Sequence, residues 1–188
     1  MQGRSRSKMI AFAIMGFVLA ILAWISHYLL FGQYGFYEDD YWAVTPFINR
    51  GWGDLIPQIQ RAFSHWPQGR PLNHSMPMVF GWAGFHLGGI NGIYLLLFVV
   101  LATNSYLVAA TSRCSASSIP PLLAGASFIF YPADTTRLLI VHGAHLHLAL
   151  TYSLLGLLMR TTSADGFAND AMISAVRPLL AATLTSAP

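Results

Sequence analysis

Three consecutive carboxylates, Glu38, Asp39 and Asp40, are the side chains of this sequence that are best placed to do chemistry. They follow a long apolar run, Met9–Phe31. If that run crosses a membrane, the three acids lie at the far surface. Clustered carboxylates are costly there unless a metal ion, a basic side chain or a substrate amine meets them. We therefore expect the functional site in this loop.

A further acidic residue, Asp134, is predicted on the same side of the membrane. Carboxylates from two separate loops can share a divalent cation such as Mg²⁺ or Mn²⁺, which suggests Asp40 and Asp134 as metal ligands. Alternatively, Asp40 or Asp39 can act as a general base on an acceptor hydroxyl. A structural role is the third interpretation, because negative charge is favoured at helix N-termini.

Three histidines, His142, His145 and His147, form the other cluster. On a helix the first two share a face, whereas His147 points largely elsewhere. Ionisable groups inside a membrane usually face the protein interior and are often functional. Zinc would need further ligands, and the single cysteine, Cys114, is predicted on the opposite side. Hydrogen bonding between helices, substrate contact and metal transport all remain open for this cluster.

The composition indicates that the elements carrying these residues lie in a membrane. The chain is 55% hydrophobic and 9% charged, with a formal charge of +3, whereas about a quarter of the residues in soluble domains are charged. A soluble fold could not cover so much apolar surface, so the sequence predicts an all-α polytopic membrane protein. No Lys/Arg cluster with interleaved aromatic residues is present, which argues against nucleic-acid binding.

About four membrane spans are predicted. The first, Met9–Phe31, follows Arg4, Arg6 and Lys8, which places the N-terminus in the cytoplasm by the positive-inside rule. Met76–Leu87 is too short to span, and a glycine-rich break follows it. The remaining spans are predicted at 93–110, 117–131 and 138–159, and Arg113 and Arg160 follow the second and fourth of them. Taking Met76–Leu87 as a span would invert everything after it, which the charge rule disfavours.

The loop 32–75 is predicted to lie on the non-cytoplasmic side. Tyr41–Phe63 reads as one or two short helices lying along the membrane surface, because apolar and polar residues mix there. Prolines and glycines interrupt this stretch at Pro46, Gly51, Gly53 and Pro57. Four of the five tryptophans fall in or beside the loop, where they form an interfacial aromatic belt or stack on a sugar or lipid headgroup.

Residues 1–160 are thus predicted to form one membrane domain. Residues 161–188 read as a polar linker followed by the start of an incomplete fifth span at Pro178. From this run we expect the chain to be part of a longer protein.

The order of these features resembles the N-terminal part of the GT-C glycosyltransferases, polytopic enzymes that use polyprenyl-phosphate-linked sugars. The protein O-mannosyltransferases and the lipid A aminoarabinose transferases belong to this group. Three short motifs carry the resemblance: Glu38-Asp39-Asp40 after the first span, Gln68-Gly69-Arg70-Pro71-Leu72 where the chain returns to the membrane, and Tyr131-Pro132-Ala133-Asp134 in the second outer loop.

The resemblance implies a truncated GT-C fold and glycosyl transfer on the non-cytoplasmic side of a bacterial inner membrane. An acidic residue of the first outer loop would be the catalytic base or a metal ligand, which here means Asp40 or Asp39, with Asp134 assisting. Arg70 and Arg137 are predicted on the same outer side, where either could bind the lipid phosphate of the donor, because guanidinium groups bind phosphate in a bidentate way, or could anchor the chain to lipid headgroups. Trp42 would contact the substrate.

Two readings from other classes remain open. One is a membrane transporter or metal-handling protein that uses His142, His145 and His147. The other is a structural fragment without activity. The acceptor and the donor sugar are not encoded in any motif of the chain.

Overall fold

The computed structural model describes residues 2–30, 32–36, 40–65, 71–114, 120–130 and 140–164. Every regular element within these ranges is a helix, as the sequence predicted. The seven helices are α1 (Gln2–His27), α2 (Asp40–Ala43), α3 (Thr45–Ile48), α4 (Trp52–His65), α5 (Pro71–Cys114), α6 (Pro121–Ile129) and α7 (Ile140–Ala164). Two of the described helices, α1 and α5, are long and apolar enough to cross a membrane.

Helix α1 contains the first candidate span, Ile10–His27. One side of it carries large apolar side chains that no part of the described protein covers, among them Ile14, Phe17 and Ile25. Leu19 and Ala23, on the opposite side, are completely buried. The helix ends at His27, four residues before the predicted end of the apolar run at Phe31. An uncovered apolar stripe of this kind is typical of a helix that faces lipid.

Helix α5 is two helices joined by a sharp turn, which we call α5a (residues 71–87) and α5b (residues 90–114). Its apolar stretch, Ser75–Arg113, has 39 residues, so a straight helix would be about 58 Å long, nearly twice the hydrocarbon thickness of a bilayer. The helical dihedral angles fail at Gly88 and Gly89, and Gly89 has a φ of 63°. Only glycine adopts that conformation readily. The predicted break after Met76–Leu87 is therefore confirmed.

The two segments of α5 fold back against each other with their backbones in contact. A Cβ atom added to Gly84 would lie 2.5 Å from Ile93 Cα, and one added to Gly92 would lie 2.1 Å from the Gly84 carbonyl oxygen. In a continuous helix, residues 84 and 93 would be about 13.5 Å apart along the axis. The glycines thus permit a helical hairpin in which α5b returns along the bundle.

Helices α1 and α5b pack antiparallel. Near the end of α1, the ring of Trp24 lies 5.0 Å from that of Phe98. Towards its start, Phe12 lies 6.3 Å from Tyr106 and beneath the guanidinium of Arg113, at 4.7 Å. Arg113 is therefore at the same end of the bundle as the N-terminal half of α1. We call the opposite end, where α1 ends and α5b begins, the loop end.

Helix α6 is shorter than the predicted third span, 117–131, whereas α7, with 25 residues, is longer than the predicted fourth span, 138–159. Pro121 occupies the first turn of α6, where its missing N–H has no helical partner. The nine residues of α6 cover only about 14 Å, and in α7 the apolar stretch is Leu146–Met159. Within the described residues, the apolar stretches of both α6 and α7 are shorter than a span, so four spans and a GT-C fold remain predictions.

The described residues between α1 and α5, 28–30, 32–36 and 40–65, lie at the loop end, and we call them the loop-end segment. Val44 and Ile48 are buried with Phe80, Ile93 and Tyr94 in a single hydrophobic core that also includes residues of α1 and α6. The predicted interruptions are confirmed in part, because α3 starts with Thr45-Pro46 and Gly51 precedes α4. Gly53 and Pro57, however, lie inside α4 and do not interrupt it. Pro57 removes only the hydrogen bond to the Gly53 carbonyl, and both residues are exposed, so water can replace that bond.

Candidate functional site at the loop end

Asp40 starts helix α2, and its side chain is completely buried. Its backbone carbonyl accepts a hydrogen bond from the Val44 amide at 3.0 Å. Val44 is itself completely buried and packs against α5a so closely that a Cβ atom at Gly81 would lie 2.3 Å from its Cγ1 atom. Asp40 is thus fixed at the base of the loop-end segment. Asp54, the other carboxylate whose side chain is described, is exposed.

The chain that leads to the acidic cluster is held against α5b by two tyrosines. The Tyr94 hydroxyl donates a hydrogen bond to the Gly35 carbonyl at 2.7 Å. The ring of Tyr94, which is completely buried, lies 4.7 Å from that of Tyr34. Tyr34 in turn donates through its hydroxyl to the His27 carbonyl at the end of α1. These contacts hold residues 34 and 35 in place, five residues before Asp40.

Helix α2 packs against both α5 and α7. Helix α7 carries the three histidines of the sequence-predicted cluster, so Asp40 and this cluster belong to neighbouring elements. His147 is half-buried, and its ring lies 6.1 Å from that of Phe128 in an edge-to-face arrangement.

A separate contact joins the end of α1 to α6, where His27 Nε2 lies 2.9 Å from the Ile129 carbonyl oxygen.

A buried polar cluster joins α5b to α7. The side-chain amide of Asn104, which is completely buried, donates to the His147 carbonyl at 2.8 Å. Its side-chain oxygen lies 2.6 Å from the Thr151 hydroxyl, which also lies 2.7 Å from the His147 carbonyl. Both polar ends of Asn104 are therefore used within the protein. This arrangement fixes the rotation of α7 rather than offering groups to a ligand.

Sequence reasoning missed this cluster, although Asn104 interrupts the apolar run Ile93–Ala110 and is visible there as its only amide side chain. An amide within a predicted span commonly hydrogen-bonds across helices. That signal would have predicted the α5b–α7 contact, but it could not identify Thr151 or the His147 carbonyl as partners.

Aromatic side chains cluster where α4 meets α5a. The rings of Trp52 and Trp82 lie 4.9 Å apart, and the His86 ring follows at 4.6 Å from that of Trp82. Trp82 Nε1 donates to the Arg50 carbonyl at 2.8 Å. The structure thus brings together two of the tryptophans that the sequence placed in an interfacial belt.

Several predicted site residues cannot be placed. Asp39, Arg70, Asp134 and Arg137 lie outside the described residues, so the shared site of Asp40 and Asp134 stays a prediction. Trp42, His142 and His145 belong to described helices, but their side chains also lie outside the described part. Among the side chains that are described, no group of three His, Cys, Asp or Glu residues could hold a metal ion.

The geometry defines a helical protein with two candidate membrane spans and a buried carboxylate at one end of its bundle. No protein-family model, curated protein or solved structure matches the chain.

Proposed function

We propose that the protein is a membrane glycosyltransferase, or part of one, whose reaction centre contains Asp40. The observation that carries the proposal is the complete burial of this carboxylate at the loop end. A buried carboxylate costs free energy that an apolar or neutral side chain of similar size would not. Such groups are concentrated at sites where their charge is used.

The proposed reaction transfers a sugar from a polyprenyl-phosphate-linked donor to an acceptor hydroxyl on the non-cytoplasmic side of a bacterial inner membrane. The acceptor oxygen forms a bond to the anomeric carbon of the sugar while the bond from that carbon to the phosphate oxygen breaks. Asp40 takes the hydroxyl proton as general base, and the lipid phosphate leaves with the electron pair of the broken bond.

The alternative role of Asp40 within the same reaction is to hold a divalent cation, Mg²⁺ or Mn²⁺, together with Asp134. The described residues supply only Asp40 to such a site, so the cation depends on residues outside them. Washing the protein with EDTA distinguishes the two roles, because a metal-dependent activity returns only when the cation is added back. In either role of Asp40, the proposed site also contains Asp39, Arg70, Arg137 and Trp42. The two arginines would bind the donor phosphate.

The direct test is Asp40→Asn, which keeps the shape of the side chain and removes its charge. Asp54→Asn is the matched control, because the same substitution is made at an exposed carboxylate of the neighbouring helix α4. Both variants are measured in membranes with radiolabelled polyprenyl-phosphate sugars, at equal protein levels.

We expect Asp40→Asn to lower transfer by about 10²- to 10⁴-fold, the usual contribution of a general base. Asp54→Asn should transfer at the wild-type rate. A normal rate for Asp40→Asn, or no transfer by the wild type with any donor of this class, would contradict the proposal.

A further inference from the structure

Helix α4 has an exposed apolar stripe, which lies beside the face by which the helix packs against the protein. Leu55 and Ala62 are 0% and 3% exposed and form the packing face against the rest of the protein. Trp52, Ile56 and Phe63 are 47%, 39% and 56% exposed. At 100° per residue, these three lie within an arc of about 40°, roughly a quarter turn from the packing face.

The charged side chains of α4 are on the side opposite to this stripe. Asp54 and Arg61 are both exposed. Each lies about 140° to 180° around the helix from the three apolar residues of the stripe. The apolar arc of α4 therefore extends beyond the part that packs against the protein, and the polar side of the helix is directed away from the uncovered part.

Exposed apolar surface elsewhere at the loop end indicates what covers the stripe. Helix α1 presents a continuous exposed apolar stripe along its candidate span, and this stripe continues at the loop end with Leu29 and Leu30. Leu87, at the tip of the α5 hairpin, is 73% exposed. A bilayer that surrounds α1 therefore has its surface near the loop end. Amphipathic helices with a tryptophan at one edge are typical of that interface.

We propose that α4 lies in the membrane interface, with Trp52, Ile56 and Phe63 in contact with lipid and with Asp54 and Arg61 facing water. The sequence places this region along the membrane surface, and the structure assigns the face that enters the lipid. The occupant of the stripe is the bilayer itself. The inference rests on the membrane insertion that the proposed function also requires.

Spin labels on the full-length chain in phospholipid bilayers test this assignment. Single cysteines are introduced at Ile56, Phe63, Arg61 and Phe17 in a Cys114→Ser background. For each label, electron paramagnetic resonance measures collisions with oxygen, which concentrates in lipid, and with a water-soluble nickel chelate. Phe17, in the exposed stripe of α1, reports whether the chain is inserted, and Arg61 is the matched control on the polar side of α4.

We expect the oxygen-to-nickel collision ratio at positions 56 and 63 to exceed that at position 61 severalfold. If the label at position 17 is in lipid while positions 56, 61 and 63 are equally accessible to nickel, the stripe faces water and the inference is wrong. If positions 56 and 63 are shielded from both reagents, a protein partner or a second copy covers the stripe, which also refutes it. If position 17 itself is in water, the chain is not inserted, and the proposed function fails together with the inference.

Discussion

The hairpin of α5 should be destabilised if a methyl group is added where its two segments touch. In Gly92→Ala, the new Cβ atom would lie 2.1 Å from the Gly84 carbonyl oxygen. Aliphatic carbon meets a carbonyl oxygen at about 3.3–3.6 Å, so the two backbones would have to separate by about 1.2–1.5 Å. Neither atom belongs to a flexible side chain, and a rotamer change therefore cannot relieve the contact.

The expected loss of stability follows from the packing between the two segments that this separation disrupts. Overpacking in a well-packed core costs about 1–3 kcal/mol, and we expect the upper part of that range because the obstacle is backbone. For a chain of this size, each kcal/mol lowers the melting temperature by about 2–4 °C, which predicts a fall of about 5–10 °C. The control is Gly53→Ala in α4, where an added Cβ atom meets nothing within 4 Å.

The assay is thermal unfolding of the purified protein in detergent, followed by the amount that remains monodisperse after heating. Gly53→Ala should be unchanged or slightly more stable, since alanine favours helix by up to about 1 kcal/mol over glycine. A melting temperature for Gly92→Ala equal to that of Gly53→Ala would show that 84 and 92 are not in contact, and the hairpin would be refuted.

Two further substitutions test the contacts around the site. Asn104→Leu removes the link between α5b and α7, and we expect a loss of about 0.6–1.7 kcal/mol in the free energy of unfolding, as found for hydrogen bonds between membrane helices. Thr103→Leu, at the exposed neighbouring position, is the control. Additive effects of Asn104→Leu and Thr151→Val would contradict a direct bond between the two side chains. Tyr94→Phe removes the hydroxyl that donates to Gly35 and should cost about 0.5–1.5 kcal/mol while keeping the ring contact with Tyr34. Proteolysis within 32–40 should become faster in Tyr94→Phe and not in Tyr106→Phe, and equal rates in the two variants would refute the anchoring role of Tyr94.

The sequence predicted the helical class and the first candidate span because apolar runs and charged flanks are local signals. The break at Gly88-Gly89 was predictable for the same reason, since two adjacent glycines interrupt an apolar helix. The direction of the chain after the break was not predictable from the sequence. Whether α5b continues α5a or returns along it depends on the contact of Gly84 with Gly92 and Ile93, which no periodicity records.

The candidate site was predictable in part. The acidic cluster was visible as a local run of charge, but the burial of Asp40 depends on how α2 packs against α5 and α7, which are distant in sequence. The polar link of Asn104 to α7 is similarly non-local, because its main acceptor is a backbone carbonyl 43 residues away. Such acceptors have no residue type by which they can be recognised.

The burial of Asp40 also restricts how the proposed reaction can begin. A side chain with no exposed surface cannot take a proton from an acceptor hydroxyl until the residues packed around it move apart. Three attachments of the loop-end segment to α5 can be loosened singly: the Tyr94–Gly35 hydrogen bond, the fit of Val44 against Gly81 and the Trp82–Arg50 hydrogen bond. If catalysis requires this opening, loosening one attachment while leaving Asp40 intact should change the rate of transfer. Asp40→Asn should lower transfer by about 10²- to 10⁴-fold whatever the state of the attachments.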